Sequence, residues 1–437
     1  MKNHSAIAVI SLGCPKALVD AEKIMTRLIQ AGYIITSTPK KADLIIVNTC
    51  GFINDAINES FEAIETALTA HVPVIATGCL GAKAHLIREK FPTISAITGP
   101  HDDEGVMQFV HHFLPINPPS CIEPLRRCGI KLTPSHYAYL KIAEGCDHAC
   151  TFCIIPQLRG KFVSRPMKTI ITEAESLVQH GVKEIMLIAQ DTGAYGHDLA
   201  DHSNLDMLLT ELSQLGVWIR LHYVYPYPFV DQLVKQMADR SILPYLDVPL
   251  QHVNPRILKW MKRPAYQENA LARIQRWRSI CPDLTIRSTF IVGFPSETDE
   301  EFEELINFLD EAKIDRAGCF AYSAIEGAAA NQLPDPIPES IKRERVELFT
   351  AAQSHISAEK LQHKVGQTMA VLVDEINRSK IIARSMGDAP EIDGQVIIQK
   401  PTHSTARPGD LITVEIDKSD TQDLYGHITQ CSISKHG

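Results

Sequence analysis

A chain of 437 residues, 45% hydrophobic and 22% charged, is too long for one compact core and too apolar to stay disordered, which leaves about two or three folded domains. Its formal net charge of −9 denies the whole molecule an electrostatic hold on nucleic acid, and no apolar run approaches the roughly 18 residues that cross a membrane. Eleven cysteines, an odd number, favour metal binding or catalysis over a disulfide framework.

In chain order, the first apolar run covers residues 6–12 and ends in Gly13-Cys14. One Lys precedes it and its length is at the lower limit for an export signal, so it is read as a buried strand and the protein as cytoplasmic. Residues 44–47 and 74–76 repeat the pattern, while 17–28 carry Leu18, Ile24, Met25 and Leu28 on one helical face. Strands alternating with helices over residues 1–114 predict an open parallel α/β sheet covered on both faces. Each strand runs into a turn bearing a cysteine: Cys14, Cys50 and Cys79. The carboxyl ends of a parallel sheet share one edge, where ligands bind, so these three thiols converge. One small cysteine is more often core than ligand. Three at one structural address form a donor set for zinc or a [4Fe–4S] cluster, and the glycines beside them let the backbone approach a bulky inorganic group.

Residues 115–133, with Cys121 and Cys128, read as a linker. Together with Cys281, Cys319 and Cys431 these cysteines have no ligand context and are taken as structural or free thiols. After a strand-like run at 137–142 comes Cys146-Asp147-His148-Ala149-Cys150-Thr151-Phe152-Cys153, a C-x3-C-x2-C loop. Zinc would need a fourth ligand, and His148 sits inside a very tight loop. Further strands are expected at 184–189, 217–224, 245–249, 284–292 and 317–322, with helices at 205–215, 231–239, 270–280 and 298–309. Six such units within 134–365 predict a partial parallel (βα)6 barrel with functional residues at the strands' carboxyl ends. Gln190-Asp191-Thr192, Gln251-His252 and Gly293-Phe294-Pro295-Ser296-Glu297-Thr298 stand there; the last also suits a helix N-cap at Ser296 or Thr298.

From Gly366 the texture changes to short strands at 368–374, 395–399 and 411–416, with a turn at Arg407-Pro408-Gly409-Asp410. Residues 366–437 are expected to form a small antiparallel β-barrel. This stretch has seven Lys or Arg against ten Asp or Glu, three of the acids within residues 387–394. Such a barrel would repel phosphate and attract a basic protein.

The two cysteine sets and the tail together resemble the methylthiotransferase family of radical S-adenosylmethionine enzymes over essentially the whole chain. The most specific run is His136-Tyr137-Ala138-Tyr139-Leu140-Lys141-Ile142-Ala143-Glu144-Gly145-Cys146, continuing through Ile155-Pro156-Gln157-Leu158-Arg159-Gly160. Its wording is most similar to the branch that modifies ribosomal protein S-12, as are Leu250-Gln251-His252, residues 257–263 and residues 388–394. The resemblance implies an auxiliary [4Fe–4S] cluster on Cys14, Cys50 and Cys79, a radical-generating one on Cys146, Cys150 and Cys153, and a terminal barrel of the TRAM type. It implies S-adenosylmethionine as radical source and methyl donor, with a methylthio group placed on the β-carbon of an aspartate in S-12. That C–H bond is beyond ordinary side chains, so the cofactors carry the hard step.

Gln190, Asp191, Gly293 and Glu297 are the expected S-adenosylmethionine contacts. Gln190 and Asp191 stand where many superfamily members carry Gly-Gly-Glu. The expected partners are S-12, an electron donor and a sulfur source; no membrane is expected, nor an assembly beyond the monomer. The rival within the family is a tRNA adenosine methylthiotransferase, which the acidic tail disfavours. The rival from another class is a non-catalytic iron–sulfur or zinc protein.

Overall fold

The computed structural model describes residues 5–115, 129–263 and 269–430. Cys121, Cys128, Cys431 and most of the expected linker lie outside the described residues. In the first domain β1 (Ala6–Ser11), β2 (Ile34–Ile35), β3 (Leu44–Thr49), β4 (Val74–Gly78) and β5 (Ala96–Ile97) form a parallel sheet in the order β2-β1-β3-β4-β5. β3 is buried along its whole length because both faces are covered, Ile46 lying in one apolar cluster and Ile45 and Val47 in another. Strand order reverses between β1 and β3, and the crevice at their carboxyl ends is where such sheets bind ligands. Helix α1 (Pro15–Gln30) turns Leu18 and Val19 against Tyr137, Tyr139, Met186 and Ile188 of the next domain, so the two domains share an apolar seam.

The central domain contributes β6 (Tyr137–Lys141), the short antiparallel pair β7 (Ala143–Glu144) and β8 (Val163–Ser164), then β9 (Glu184–Ile188), β10 (Trp218–Leu221), β11 (Tyr245–Asp247), β12 (Thr285–Val292) and β13 (Arg316–Ala321). Six of these form a parallel sheet in the order β13-β12-β11-β10-β9-β6, an open barrel wall. The strand expected at 217–224 stops at Leu221, because Tyr223 turns the chain at φ +61 and donates its backbone N–H to Asp247 Oδ2 at 3.0 Å. Thr298, not Ser296, caps the helix Asp299–Ala312 and closes a reciprocal capping box with Glu301. The 24-residue helix Glu339–Gln362 was not expected. It buries Lys342, Arg345 and Gln353 as well as Phe349 and Ile356, so no continuous apolar stripe marks it in the sequence.

The tail strands β14 (Thr368–Ile376), β15 (Lys380–Ser385), β16 (Val396–Gln399), β17 (Leu411–Ser419) and β18 (Leu424–Gln430) close a barrel in the order β14-β15-β16-β18-β17. Its pairings are antiparallel except β16–β18, which is parallel. A closed ring of five strands cannot alternate direction all the way round, so one parallel pair is a geometric necessity.

The expectation that the loop at 387–394 offers its carboxylates to a basic partner is corrected here. Asp388 pairs with Arg316 at 2.8 Å, Asp393 takes Arg287 and the Tyr245 hydroxyl at 2.6 Å each, and Glu391 accepts from Tyr137 Oη at 3.0 Å. All three face the core domain and hold the barrel against it. The same interface buries Glu184 between Arg220 and Arg384, 2.7 Å from each, and Arg384 also grips Asp374.

Burial alone would raise the Glu184, Asp374 and Asp388 carboxyls, but the guanidiniums of Arg220, Arg384 and Arg316, with His136 on Asp374, hold all three below their ordinary values. A depressed carboxyl contributes stability that is complete above its unfolded pKa and lost as the pH falls through the folded one. The tail is therefore expected to loosen from the core as the pH drops below about 4, seen as faster limited proteolysis at the 362–368 junction. Arg384→Met, which leaves Asp374 and Glu184 each short of a partner, is expected to cost about 3 kcal/mol and to lower the denaturant midpoint at neutral pH.

Candidate functional site

Cys14 caps α1, Cys50 follows β3 and Cys79 opens the 3-10 turn after β4. Two glycines bring these turns together. Gly13, at φ +92, lies so close to Cys50 that an added Cβ would stand 3.1 Å from the Cys50 Cβ. Gly78, at φ +90, would drive one into Asn48 and the Thr49 backbone. The glycines thus permit strand end to meet strand end, a tighter role than room for a ligand.

The second set lies on the loop between β7 and β8. Cys146 donates its backbone N–H to the Gly160 carbonyl, Cys153 donates to Cys150, and Thr151 donates to Met261, which pins the loop without using a sulfur. His148 already engages one of its two ring nitrogens. Its ring stacks on Tyr225 at 4.0 Å between centroids, and its Nε2 lies 2.9 Å from Asp191 Oδ2, which also accepts from Tyr227 Oη at 2.6 Å.

All six cysteines line one cavity of about 470 Å³ between the first domain and the core. None of the six is in a disulfide. Burial raises the thiols of Cys79, Cys146 and Cys153 to about 11, 11 and 12, so each becomes a thiolate ligand only opposite a strongly positive iron core. Two sets of three sulfurs fit two [4Fe–4S] clusters, each with one iron left open. A larger open hollow of about 790 Å³ lies behind the second loop but touches only Cys146 of the six; it lacks the donor set.

Gln190 and Asp191 line the cavity. Each has a buried oxygen without a hydrogen-bond partner, Gln190 Oε1 and Asp191 Oδ1, as expected of groups that await a ligand. Gly293 and Glu297 are not part of the cavity wall. An added Cβ at Gly293 would meet the Lys342 stem at 2.4 Å, and the Glu297 carboxylate accepts from Phe294 N and lies 3.2 Å from Arg345. Burial holds that carboxyl up at about 7. Four basic cavity residues escaped the reading by sequence: Lys16, Arg159, Arg263 and Arg287. Arg159 donates to the Cys79 sulfur at 3.1 Å and reaches Asp20 and Glu144 with NH1. Arg263 lies 4.1 Å over the Tyr225 ring, with NH1 3.9 Å from the Cys150 sulfur and its Nε unpartnered. Three sit within quoted motifs or next to a quoted cysteine, but nothing local marks them as cavity-facing.

Residues 6–99 match the Uncharacterized protein family UPF0004, residues 140–309 the Radical SAM superfamily and residues 365–429 the TRAM domain. The chain is 53% identical over 433 residues to the ribosomal protein uS12 methylthiotransferase RimO of Citrobacter koseri, covering 96% of this chain and 97% of that one. It is 54% identical, with the same coverage, to the RimO of Salmonella arizonae. Among solved structures, the radical S-adenosylmethionine methyltransferase TsrM of Kitasatospora setae superposes with TM-score 0.55 at 13% identity, over 74% of this chain and 77% of that one. At that identity the likeness concerns the fold.

Independence of the two sulfur sets makes a direct prediction. Cys50→Ala and Cys150→Ala should each lower the iron content of the anaerobically reconstituted protein by about half, and the double variant should hold almost none. Iron analysis with absorption spectra checks this.

Proposed function

The chain belongs to the RimO family of radical S-adenosylmethionine methylthiotransferases, and we propose that it places a methylthio group on the β-carbon of an aspartate in ribosomal protein S-12. The observation that carries the reading is the single cavity lined by Cys14, Cys50 and Cys79 on one side and Cys146, Cys150 and Cys153 on the other. A reaction that must break a C–H bond and form a C–S bond at the same carbon needs both sources within one substrate's reach. When bound, the two [4Fe–4S] clusters and S-adenosylmethionine supply the hydrogen abstraction, the sulfur and the methyl group.

The protein's own groups hold and orient. Asp191 Oδ1 would accept from the ammonium of S-adenosylmethionine, its other oxygen being fixed by Tyr227 and His148. Gln190 donates to Glu144 and keeps its carbonyl oxygen free beside Asp191. Arg263, close to Cys150 and with a free Nε, would face the methionine carboxylate. Gly293 and Glu297 would act on the cofactor only from behind, by shaping the turn at the end of β12. Arg159 bridges the Cys79 sulfur to Asp20 and Glu144, which fixes one domain's ligand against the other domain's loop.

At the cavity wall each domain contributes one large apolar side chain that stays exposed: Phe52 at 39%, Phe320 at 57% and Ile392 at 47%. Such a rim suits a protein loop that inserts an aspartate and covers the cavity from water. The charge argument against tRNA rests on fewer groups than composition suggests, since Asp374, Asp388, Glu391 and Asp393 are engaged within the molecule. The preference for S-12 comes instead from the near full-length similarity to uS12 methylthiotransferases. An electron donor and a sulfur source complete the set of partners, acting in the cytoplasm on a monomer. No helix among the described residues is long and apolar enough to cross a membrane.

Anaerobic incubation of the reconstituted protein with S-adenosylmethionine, sulfide, a reductant and either S-12 or tRNA tests the substrate. Mass spectrometry should show one methylthio group gained by S-12 and none by tRNA; a gain on tRNA alone would overturn it. Separately, Asp191→Asn should weaken S-adenosylmethionine binding by about ten-fold or more with iron content unchanged, measured by equilibrium dialysis.

A further inference from the structure

We propose that Lys16, seated on the Tyr223 ring, forms a carboxylate subsite in the cavity that receives the side chain of the aspartate to be modified. The inference deepens the assignment of S-12 as substrate and rests on it. Lys16 is nine-tenths buried, at 9% exposure, and lines the cavity shared by the six cysteines. Its Nζ stands 3.3 Å from the centroid of the Tyr223 ring. No carboxylate among the described residues pairs with it, whereas Lys141 has Asp20 and Glu144, and Arg159 has the same two.

The position compounds the anomaly. Lys16 lies in the first turn of α1, where the helix dipole is already positive and where no acidic residue offsets it. A buried ammonium at that end of a helix, resting on an aromatic face with the Cys14 sulfur and Tyr223 as its neighbours and no carboxylate paired with it, breaks two local rules at once. Sequences break such rules where a ligand brings the missing charge. The Tyr223 ring is held in place by the turn at φ +61 and the bond from its backbone N–H to Asp247.

Two buried cations face this cavity without a carboxylate partner, and they lie near opposite sulfur sets. Arg263 is beside Cys150; Lys16 is two residues from Cys14. The reaction brings two carboxylates, one on S-adenosylmethionine and one on the substrate aspartate. Arg263 is placed for the first and Lys16 for the second. Arg287, the other cation near Tyr223, is already neutralised by Asp393 at 2.6 Å and lies 4.0 Å from Asp247. Binding at Lys16 would hold the aspartate with its β-carbon toward the Cys14, Cys50 and Cys79 set, where the new carbon–sulfur bond has to form.

A double-mutant cycle on the holoenzyme tests this: wild type and Lys16→Met, each against labelled S-12 carrying either the target aspartate or asparagine. Equilibrium binding and kcat/KM are both read, with iron content and cluster absorption measured on every sample. The expected result is a loss of roughly ten-fold or more in affinity of Lys16→Met for the aspartate protein. Affinity for the asparagine protein should not change, and Lys16→Arg should restore most of the preference. Equal losses for both S-12 forms, no loss for either, or a change confined to the clusters would overturn the subsite. Failure of the wild-type holoenzyme to modify S-12 would overturn the substrate assignment as well, whereas modification of S-12 without coupling to Lys16 would overturn the subsite alone.

Discussion

Arg159 lies with its guanidinium buried at the seam between the first domain and the core. Its Nε is 3.1 Å from the Cys79 sulfur, and its NH1 is 3.2 Å from Asp20 and 3.0 Å from Glu144. Asp20 is on α1 of the first domain; Glu144 and Arg159 flank the loop of Cys146, Cys150 and Cys153. One planar, permanently charged group therefore meets the Cys79 sulfur, the opposite domain and the C-x3-C-x2-C loop at once. Burial would raise the Glu144 carboxyl, yet His101, Lys141 and Arg159 hold it well below its ordinary range. Buried charge that is paired on several sides is costly to break. The mutual position of the two sulfur sets inherits that rigidity.

The tail is joined to the core by the same physics on a larger scale. Arg287 and Arg316 of the core meet Asp393 and Asp388 of the tail, and Arg384 of the tail meets Glu184 of the core. An excess of acid in a terminal barrel looks, as composition, like a surface for a basic partner. In the folded molecule part of that acid is the glue of the barrel itself. What reaches the cavity from the tail is an apolar side chain, Ile392. On the proposed function, recognition of a protein loop would rest on apolar contact at the rim and on a specific charge inside, rather than on a long-range field.

Within the cavity, groups left without partners form a pattern. Asp191 Oδ1, Gln190 Oε1 and Arg263 Nε lack hydrogen bonds although buried, and no carboxylate among the described residues pairs with Lys16. Native proteins pair such groups almost everywhere else. Those that line the cavity are complementary to the ligands of the proposed reaction: an ammonium and a carboxylate near Cys146, Cys150 and Cys153, and a second carboxylate near Cys14, Cys50 and Cys79.

Reading along the chain sufficed for most elements and for the six cysteines that share the cavity. Alternation of strands and helices, the cysteines at strand ends and the C-x3-C-x2-C spacing are local patterns, and local patterns report backbone preference and burial. The six core strands and the tail barrel followed from them, apart from the helix Glu339–Gln362, whose buried face is largely polar. The electrostatic partners could not be read in this way. Arg159 meets Asp20 across 139 positions and Tyr245 meets Asp393 across 148, so whether a charge is engaged or left open depends on residues that only folding brings together. That is why the Asp388–Asp393 loop reads as a binding surface in sequence and is an internal clamp in space. It is also why Lys16, one lysine among many in the chain, acquires its meaning only in the folded cavity, where no carboxylate among the described residues pairs with it.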